Sequence, residues 1–167
     1  MAGTLARLLQ HLSTADVRTR FRAADMDRIA LAISEGERRH RGEVCFAVES
    51  ALHWRDVMRG MLTGERARDA FSRLRIWDTA ANNGVLVYLL LAERRIEIIA
   101  DRGLHGLVSD EQWRGVCQLL EERLRNGDHA EAVLAAINEV SNLLAQHFPR
   151  IPSDMDADEV PDRPVFL

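Results

Sequence analysis

Two apolar segments separated by only three residues constrain the fold of this sequence most strongly. Residues 84–91 read Gly-Val-Leu-Val-Tyr-Leu-Leu-Leu, and residues 95–100 read Arg-Ile-Glu-Ile-Ile-Ala. Their short length and their β-branched and aromatic residues favour strands, and Asn82 and Asn83 indicate a turn before the first strand. A connection of three residues allows only an antiparallel hairpin, because parallel strands need a connection of about a dozen residues. We therefore expect a sheet with residues 84–91 as a central strand.

The other periodic segments predict a layered α/β protein. Residues 44–48 carry apolar side chains on both faces, as in a strand that is buried on both sides. Helical spacing recurs in residues 5–12, in a segment after a predicted N-cap at Asp25, and in residues 67–74. Two more helices fill most of residues 109–149, and the first begins with a capping box. This order predicts a three-layer α/β/α sandwich with a small mixed sheet that contains an antiparallel hairpin.

The 167 residues are enough for one domain with a shorter segment at each end. We predict an N-terminal amphipathic helical arm in residues 1–22, a domain in residues 23–149, and an acidic, proline-rich, disordered tail in residues 150–167. One face of the arm either packs on its own domain, docks a protein partner or a second copy, or lies on a membrane surface. That face carries four leucines: Leu5, Leu8, Leu9 and Leu12.

All 22 basic residues are arginines, and the sequence contains no lysine. This composition excludes Schiff-base and PLP enzymes, Walker-type phosphate loops and the kinase ATP clamp, because each of them needs a lysine. Any phosphate must be bound by arginine, a metal ion or backbone amides. The net charge of −4 gives no reason to expect nucleic acid as a partner, and no motif indicates an organic cofactor.

The sequence indicates a cytoplasmic protein. No apolar run approaches the roughly 20 residues that span a bilayer. The first residues lack the apolar core and the cleavage site of a signal peptide. Cys45 and Cys117 lie in apolar surroundings without a CxxC spacing, so we interpret them as buried free thiols.

Two spacings resemble metal sites, but we interpret both as surface features. Glu37 and His40 have the i, i+3 spacing of a helical metal pair, on an arginine-rich helix end that favours exposure to solvent. Asp154, Asp156 and Asp158 imitate a calcium loop, but the loop glycine and the final glutamate are missing. The second spacing is therefore part of the predicted tail.

The hairpin geometry brings candidate metal ligands to one end of the sheet. A turn centred near Glu93 pairs residues whose numbers sum to about 186. Asp101 then lies opposite residues 84 and 85 and beside Asn83. A right-handed crossover makes the first two strands parallel, which places Glu43 at the same end. The sequence therefore predicts a site for Ca²⁺ or Mg²⁺, which bind oxygen ligands. The predicted ligands are Asp78, Asn83, Asp101 and Glu43.

Two other interpretations stay open. In the first, the same residues are structural, so that Asn83 begins a turn, Asp78 binds local backbone, and Asp101 pairs with an arginine. In the second, a ligand binds at the carboxyl ends of the parallel strands, as in other open α/β sheets. That end carries the alternative set Glu49, Ser50 and Glu93.

Catalytic residues are not evident. If the protein acts on phosphate, His105 is the candidate general acid and Arg102 the candidate phosphate ligand. No serine or cysteine has a base beside it in a recognisable motif. Hydrolysis would therefore need a metal ion and a water nucleophile.

Residues 71–105 resemble the signature of the TPM domain family. In that family, a threonine precedes Asn-Gly-Val-Leu, and a strand, a charged turn, a second strand and Asp-Arg-Gly follow. The matching positions are Thr79, residues 83–86 and residues 101–103. The sequence departs from the pattern at Glu93, where the family often has aspartate. The resemblance covers residues 23–149.

The resemblance implies an α/β/α sandwich and leaves the activity open. The family includes thylakoid-lumen proteins of photosystem repair, a nematode receptor modulator and many bacterial proteins. It carries a phosphatase label, some members bind calcium or other divalent ions, and many are adaptors in membrane-protein maintenance. We therefore expect a cytosolic binding or adaptor module with a protein partner and a divalent-cation site. The alternative is a weak metal-dependent phosphatase that acts on phosphate monoesters.

Overall fold

The fold is a four-stranded mixed sheet with helices packed on both faces. The computed structural model describes residues 2–150 and 159–167. The predicted α/β/α sandwich and its hairpin are confirmed. The elements are α1 Ala2–Ser13, α2 Val17–Arg20, α3 Ala23–Glu37, β1 Glu43–Glu49, α4 Trp54–Met58, α5 Thr63–Arg73, β2 Gly84–Leu90, β3 Arg95–Ala100, a 3₁₀ turn Arg102–Leu104, α6 Asp110–Arg125, α7 His129–His147 and β4 Val165–Phe166.

The sheet has the strand order β3-β2-β1-β4. β2 pairs antiparallel with β3, with Val85 opposite Ala100. β1 pairs parallel with β2, with Glu43 opposite Gly84. The hairpin register differs by one residue from the expected register, and Asp101 donates its backbone N–H to the carbonyl oxygen of Gly84 at 2.9 Å. The start of β1, the start of β2 and the end of β3 therefore meet at one edge, as predicted.

Side-chain alternation along β1 and β2 divides the core into two halves. One face of the sheet packs on α3, α6 and α7 through residues such as Phe46 and Val87. The other face packs on α4 and α5 through residues such as Leu86. Every residue of both strands is buried, and the charged residues of β1, Glu43 and Glu49, stand at its two ends. Ligand-binding groups on these strands are therefore confined to the ends.

Helix α3 begins earlier than predicted, and Asp25 is not its N-cap. Arg22 holds the N-cap position, and Asp25 lies at the third helical position. There its Oδ2 accepts the backbone N–H of Arg22 at 3.0 Å, as the acidic residue of a capping box does. The capping box predicted for α6 is confirmed, because Ser109 and Gln112 exchange hydrogen bonds of 3.2 and 2.9 Å.

The prediction of a disordered tail is wrong for its last nine residues. Val165 pairs with Ala47 of β1, and Leu167 donates its backbone N–H to the carbonyl oxygen of Val48 at 3.0 Å. The physical reason is that β1 is apolar on both faces and would otherwise present an open edge. Residues 151–158, with the predicted aspartate motif, lie outside the described residues.

Helix α1 contacts the domain through polar residues and through one of its four leucines. His11 is buried, and Leu8 packs against the core half formed with α4 and α5. Leu5, Leu9 and Leu12 are 59%, 58% and 67% exposed. The arm is thus packed on its own domain, but most of its apolar face is open. Neither α1 nor any other helix in the described part of the chain is long and apolar enough to cross a membrane.

The packed C-terminal segment predicts a stability effect at Val160, which is 5% exposed. Val160→Ala should lower the free energy of unfolding by about 1–2 kcal/mol, because two buried methyl groups are lost. Leu167→Ala is the control, since Leu167 is 38% exposed and loses less buried surface. Urea denaturation measures both variants. Equal, negligible effects at the two positions would show that the segment does not pack.

Candidate functional site

The loop before β2 makes close backbone contacts with two glycines, Gly84 at the start of β2 and Gly103 after β3. A Cβ atom at Gly84 would clash with the backbone carbonyl of Ile76, and one at Gly103 would clash with the carbonyl of Asn82. The backbone N–H of Gly103 donates to that Asn82 carbonyl at 2.8 Å. Only glycine permits such close approach of two backbone segments. The two glycines therefore fix the polar residues beside them at the edge of the sheet.

Asn83 is buried at this edge and is 1% exposed. Its backbone N–H donates to the hydroxyl of Thr79 at 3.1 Å, and its side-chain Nδ2 donates to the carbonyl of Arg41. That second bond assigns the orientation of the amide. The amide oxygen Oδ1 is buried and has no hydrogen-bond partner within the described residues.

Asp101 ends β3 beside the same loop. Its Oδ1 accepts the backbone N–H of Arg102 at 2.7 Å, which caps the 3₁₀ turn. Its second carboxylate oxygen, Oδ2, is buried and has no hydrogen-bond partner among the residues described. This edge therefore contains one amide oxygen and one carboxylate oxygen that are buried. Neither accepts a hydrogen bond from the described residues.

The other two predicted ligands have different surroundings. Glu43 lies at the predicted edge, where its Oε2 accepts the backbone N–H groups of Glu159 and Val160 at 3.2 Å each. Asp78 forms an ion pair with Arg75 at 2.5 Å, and its side chain is 50% exposed. Asn83, Asp101 and Glu43 therefore lie at one edge of the sheet. Asp78 instead forms an exposed ion pair with Arg75.

The candidate catalytic residues make local contacts. Arg102 donates from Nε to the side-chain oxygen of Asn82 at 2.8 Å. His105 is exposed and caps the 3₁₀ turn through its backbone. Burial raises the pKa of both the Cys45 and the Cys117 thiol to about 12, so neither thiol is a nucleophile at neutral pH.

The edge does not contain a complete metal cage. Across residues 2–150 and 159–167, no group of three or more His, Cys, Asp or Glu side chains is placed to hold a metal ion. The residues present still suit a hard cation, because the two oxygens without donors are a neutral and an anionic oxygen ligand. Carbonyl groups or water would have to supply the remaining ligands.

Comparison with known protein families identifies the family of this chain. A family model described as the TPM domain matches residues 15–143, which is more than half of the chain. The chain belongs to the TPM domain family. The resemblance drawn from residues 71–105 is therefore confirmed, whereas the domain limits 23–149 stay a prediction.

A solved structure shares the fold. The NMR structure of the BA42 protein from the psychrophilic bacterium Bizionia argentinensis matches with a TM-score of 0.76. The alignment covers 88% of this chain and 95% of that chain, at 24% sequence identity. No curated protein matches the sequence. At this identity the likeness shows the TPM fold and no more.

The opposite end of β2 contains the alternative set, and hydrogen bonds within the TPM domain engage it. Glu49 accepts from the Tyr88 hydroxyl at 2.6 Å and from Nε of Arg66 at 2.8 Å. Ser50 accepts the backbone N–H of Val17 at 2.8 Å. These contacts join α2, α5 and the sheet. They account for Glu49 and Ser50 without a ligand.

Glu93, the departure from the family pattern, connects the hairpin turn to α1. Its carboxylate accepts from Nε of Arg7 at 2.7 Å, from His11 at 3.0 Å and from the hydroxyl of Thr63. Burial alone would raise the pKa of Glu93, but these hydrogen bonds together lower it. Leu52 donates its backbone N–H to Nδ1 of His11 at 3.1 Å, so the proton of the neutral ring is on Nε2.

A half-buried cluster of carboxyl groups at the amino-terminal edge was not predicted from the sequence. Glu37 and His40, interpreted as an exposed pair, line a small cavity with Glu43 and Asp162. Burial raises the pKa of Glu37 to about 9; a hydrogen bond from Val44 opposes the rise, and Asp162 and Glu43 add to it. Burial lowers the pKa of His40 to about 4. The sequence does show that Glu37 stands at the end of α3, shortly before β1. It does not show that β1 and the C-terminal segment pack over this helix end.

The raised pKa of Glu37 predicts a loss of stability at alkaline pH. The unfolded chain releases this proton near pH 4.5, whereas the folded chain keeps it to about pH 9. The folded state therefore binds more protons in that range, and stability falls as the pH rises through it. Glu37→Gln keeps the acceptor for Val44 and removes the ionisation. Melting temperatures between about pH 6 and pH 9 should fall less in this variant than in the wild type. Parallel falls would contradict the assignment.

Proposed function

We propose that this TPM domain is a binding module that holds a hard divalent cation, Ca²⁺ or Mg²⁺, at the amino-terminal end of β2. One observation carries the proposal: Oδ1 of Asn83 and Oδ2 of Asp101 are buried without a hydrogen-bond partner among the described residues. A buried oxygen that lacks a donor costs about 1–3 kcal/mol. A bound cation removes that cost, because both oxygens become its ligands.

The number of charged ligands suggests modest affinity. Asp101 supplies the negative charge with an unpaired oxygen, and Asn83 supplies a neutral oxygen. Sites with few charged ligands bind Ca²⁺ with dissociation constants of about 10⁻⁴–10⁻³ M. Glu43 supports the site indirectly, because it holds the C-terminal segment over the same edge.

Titration with Ca²⁺ and Mg²⁺ tests this proposal through the melting temperature. Binding at ten times the dissociation constant should add about 1.4 kcal/mol to the stability of the wild type. Asp101→Asn should abolish the response, because the anionic ligand is lost while the cap on Arg102 is retained.

Asp78→Asn is the matched control, since Asp78 is exposed and paired with Arg75. This variant removes one carboxylate from the loop before β2, which also carries Asn83. It should respond to the cation as the wild type does. A wild type that does not respond, or equal losses in the two variants, would contradict the site.

The alternative function is a weak metal-dependent phosphatase of the same site. It would use Asp101 to bind the metal and Arg102 or His105 toward a phosphate monoester. The contacts favour binding over hydrolysis, because Arg102 is engaged with Asn82 and neither thiol is a nucleophile. Turnover that disappears in Asp101→Asn would support the enzyme, and turnover that survives it would come from a contaminant.

A second binding surface is the open face of α1, through which the module would dock a protein as an adaptor. Arg7, Gln10 and His11 attach the other side of α1 to the hairpin turn. The helix is therefore fixed with Leu5 and Leu9 toward solvent. Exposed leucines at helical spacing are typical of a helix that fits an apolar groove. A second copy of the chain is the partner that can be tested directly.

Sedimentation at increasing protein concentration measures this docking. The mass of the wild type should rise with concentration. The double variant Leu5→Gln, Leu9→Gln should stay monomeric with an unchanged melting temperature, because both side chains are more than half exposed. A wild type that stays monomeric at every concentration would contradict docking between copies.

A further inference from the structure

A cavity of about 390 Å³ lies beyond the carboxyl end of β2, at the opposite end from Asn83 and Asp101. Residues from four separate parts of the fold line it: the end of α1, α2, the hairpin turn and the junction between α6 and α7. Its size is within the range of about 300–1,000 Å³ that is usual for small-molecule sites. In open α/β sheets, this end of the parallel strands is the usual place for a ligand.

The charged residues that line the cavity are all basic. Arg20 of α2, Arg94 of the turn and Arg125 of α6 line it, together with His129. No aspartate or glutamate of residues 2–150 and 159–167 is among the lining residues. This is unusual in a chain with 26 acidic and 22 basic residues. The cavity therefore concentrates positive charge in a protein whose net charge is negative.

Among the described residues, the three arginines of the cavity have no carboxylate partner, unlike several other arginines of the domain. Arg28, Arg66 and Arg75 form ion pairs of 2.5 to 2.8 Å. Within residues 2–150 and 159–167, the guanidinium groups lining the cavity form no ion pair and no side-chain hydrogen bond. Arginines that line one cavity without a carboxylate beside them are suited to a planar or tetrahedral oxyanion.

The start of α7 adds two further features. Asp128 is the N-cap of α7, but its side chain makes no hydrogen bond to the first turn. The first N–H groups of the helix are therefore not capped by this side chain. The ring of His129, the first residue of α7, packs edge-on against Phe21 at 6.3 Å. Its Nδ1 donates to the carbonyl of Gly127 at 3.0 Å, and Nε2 has no hydrogen-bond partner within the described residues.

We propose that this cavity binds the phosphate group of a small soluble phosphate ester, through Arg94 and Arg125 with Arg20 and His129 beside them. The remainder of the ester lies against the apolar residues Leu91 and Leu124. The proposal concerns binding alone. The hydroxyls that line the cavity, on Ser13 and Thr14, both donate to the carbonyl of Gln10.

The site is independent of the proposed cation site. The seven residues of β2 separate the two, and a strand of this length spans about 20 Å. No single phosphate group can therefore contact a cation at Asp101 and the guanidinium group of Arg94 together. Asp101→Asn should leave phosphate binding unchanged, so that failure of one proposal does not decide the other.

Isothermal titration with inorganic phosphate and with glycerol 3-phosphate at low ionic strength tests the proposal. The wild type should bind both, and the ester more tightly. Arg94→Gln and Arg125→Gln should each weaken binding about tenfold, the loss expected for one charge-assisted hydrogen bond. Arg94 has a left-handed backbone with φ of 49°, and Arg94→Gln exchanges one side chain with a Cβ atom for another, so we expect the turn to be retained.

Arg123→Gln is the matched control, because it removes the same charge from the exposed surface of α6 outside the cavity. It should bind phosphate as the wild type does. Circular dichroism confirms that each variant is folded. No binding by the wild type, or equal weakening in Arg123→Gln and Arg125→Gln, would overturn the proposal.

Vesicles containing phosphatidylglycerol distinguish a lipid headgroup from a soluble ester. The soluble phosphates should bind without vesicles, and vesicles should not sediment the protein. If the protein binds vesicles and neither soluble compound, the small-ester proposal is wrong and the cavity is part of a lipid-binding surface.

Discussion

All seven residues of β2 are buried between two layers of helices, and the strand is paired with β1 on one side and β3 on the other. Because both faces of such a strand are buried, a polar side chain can reach water only at the ends of the strand. Even its single hydroxyl, on Tyr88, reaches Glu49 at the end of β1. The chemistry of the domain is therefore divided between two edges about 20 Å apart.

The two edges differ in the charge that they leave uncompensated. At the amino-terminal edge, the oxygens of Asn83 and Asp101 lack donors within the described residues. At the carboxyl-terminal edge, the carboxylate of Glu93 is engaged in hydrogen bonds, and Arg94 beside it lines a cavity to which the described part of the chain contributes no acidic residue. One edge suits a cation and the other an anion. A metal-dependent phosphatase at the amino-terminal edge would therefore have to bind phosphate through Arg102 rather than through the arginines of the cavity.

Local sequence signals predicted the sheet because a three-residue turn leaves one topology, and the register then placed Asp101 opposite Gly84 to within one residue. The ion pair of Asp78 with Arg75 was not predicted, and the left-handed backbone of Arg75 (φ 57°) is not indicated by the neighbouring residues. The C-terminal strand was missed because its composition is typical of disorder, whereas the exposed edge of β1 decides its structure. The arginine cavity is formed by residues that are far apart in sequence, which no periodicity reveals.

Amide chemical shifts recorded while one protein sample is titrated first with Ca²⁺ and then with phosphate test most directly whether the two edges bind separately. We expect Ca²⁺ to shift the amide signals of residues 82–84 and 101–103. Phosphate should shift those of residues 92–94 and 125–129. Shifts of the same amides by both ions, or phosphate shifts at residues 101–103 alone, would contradict it.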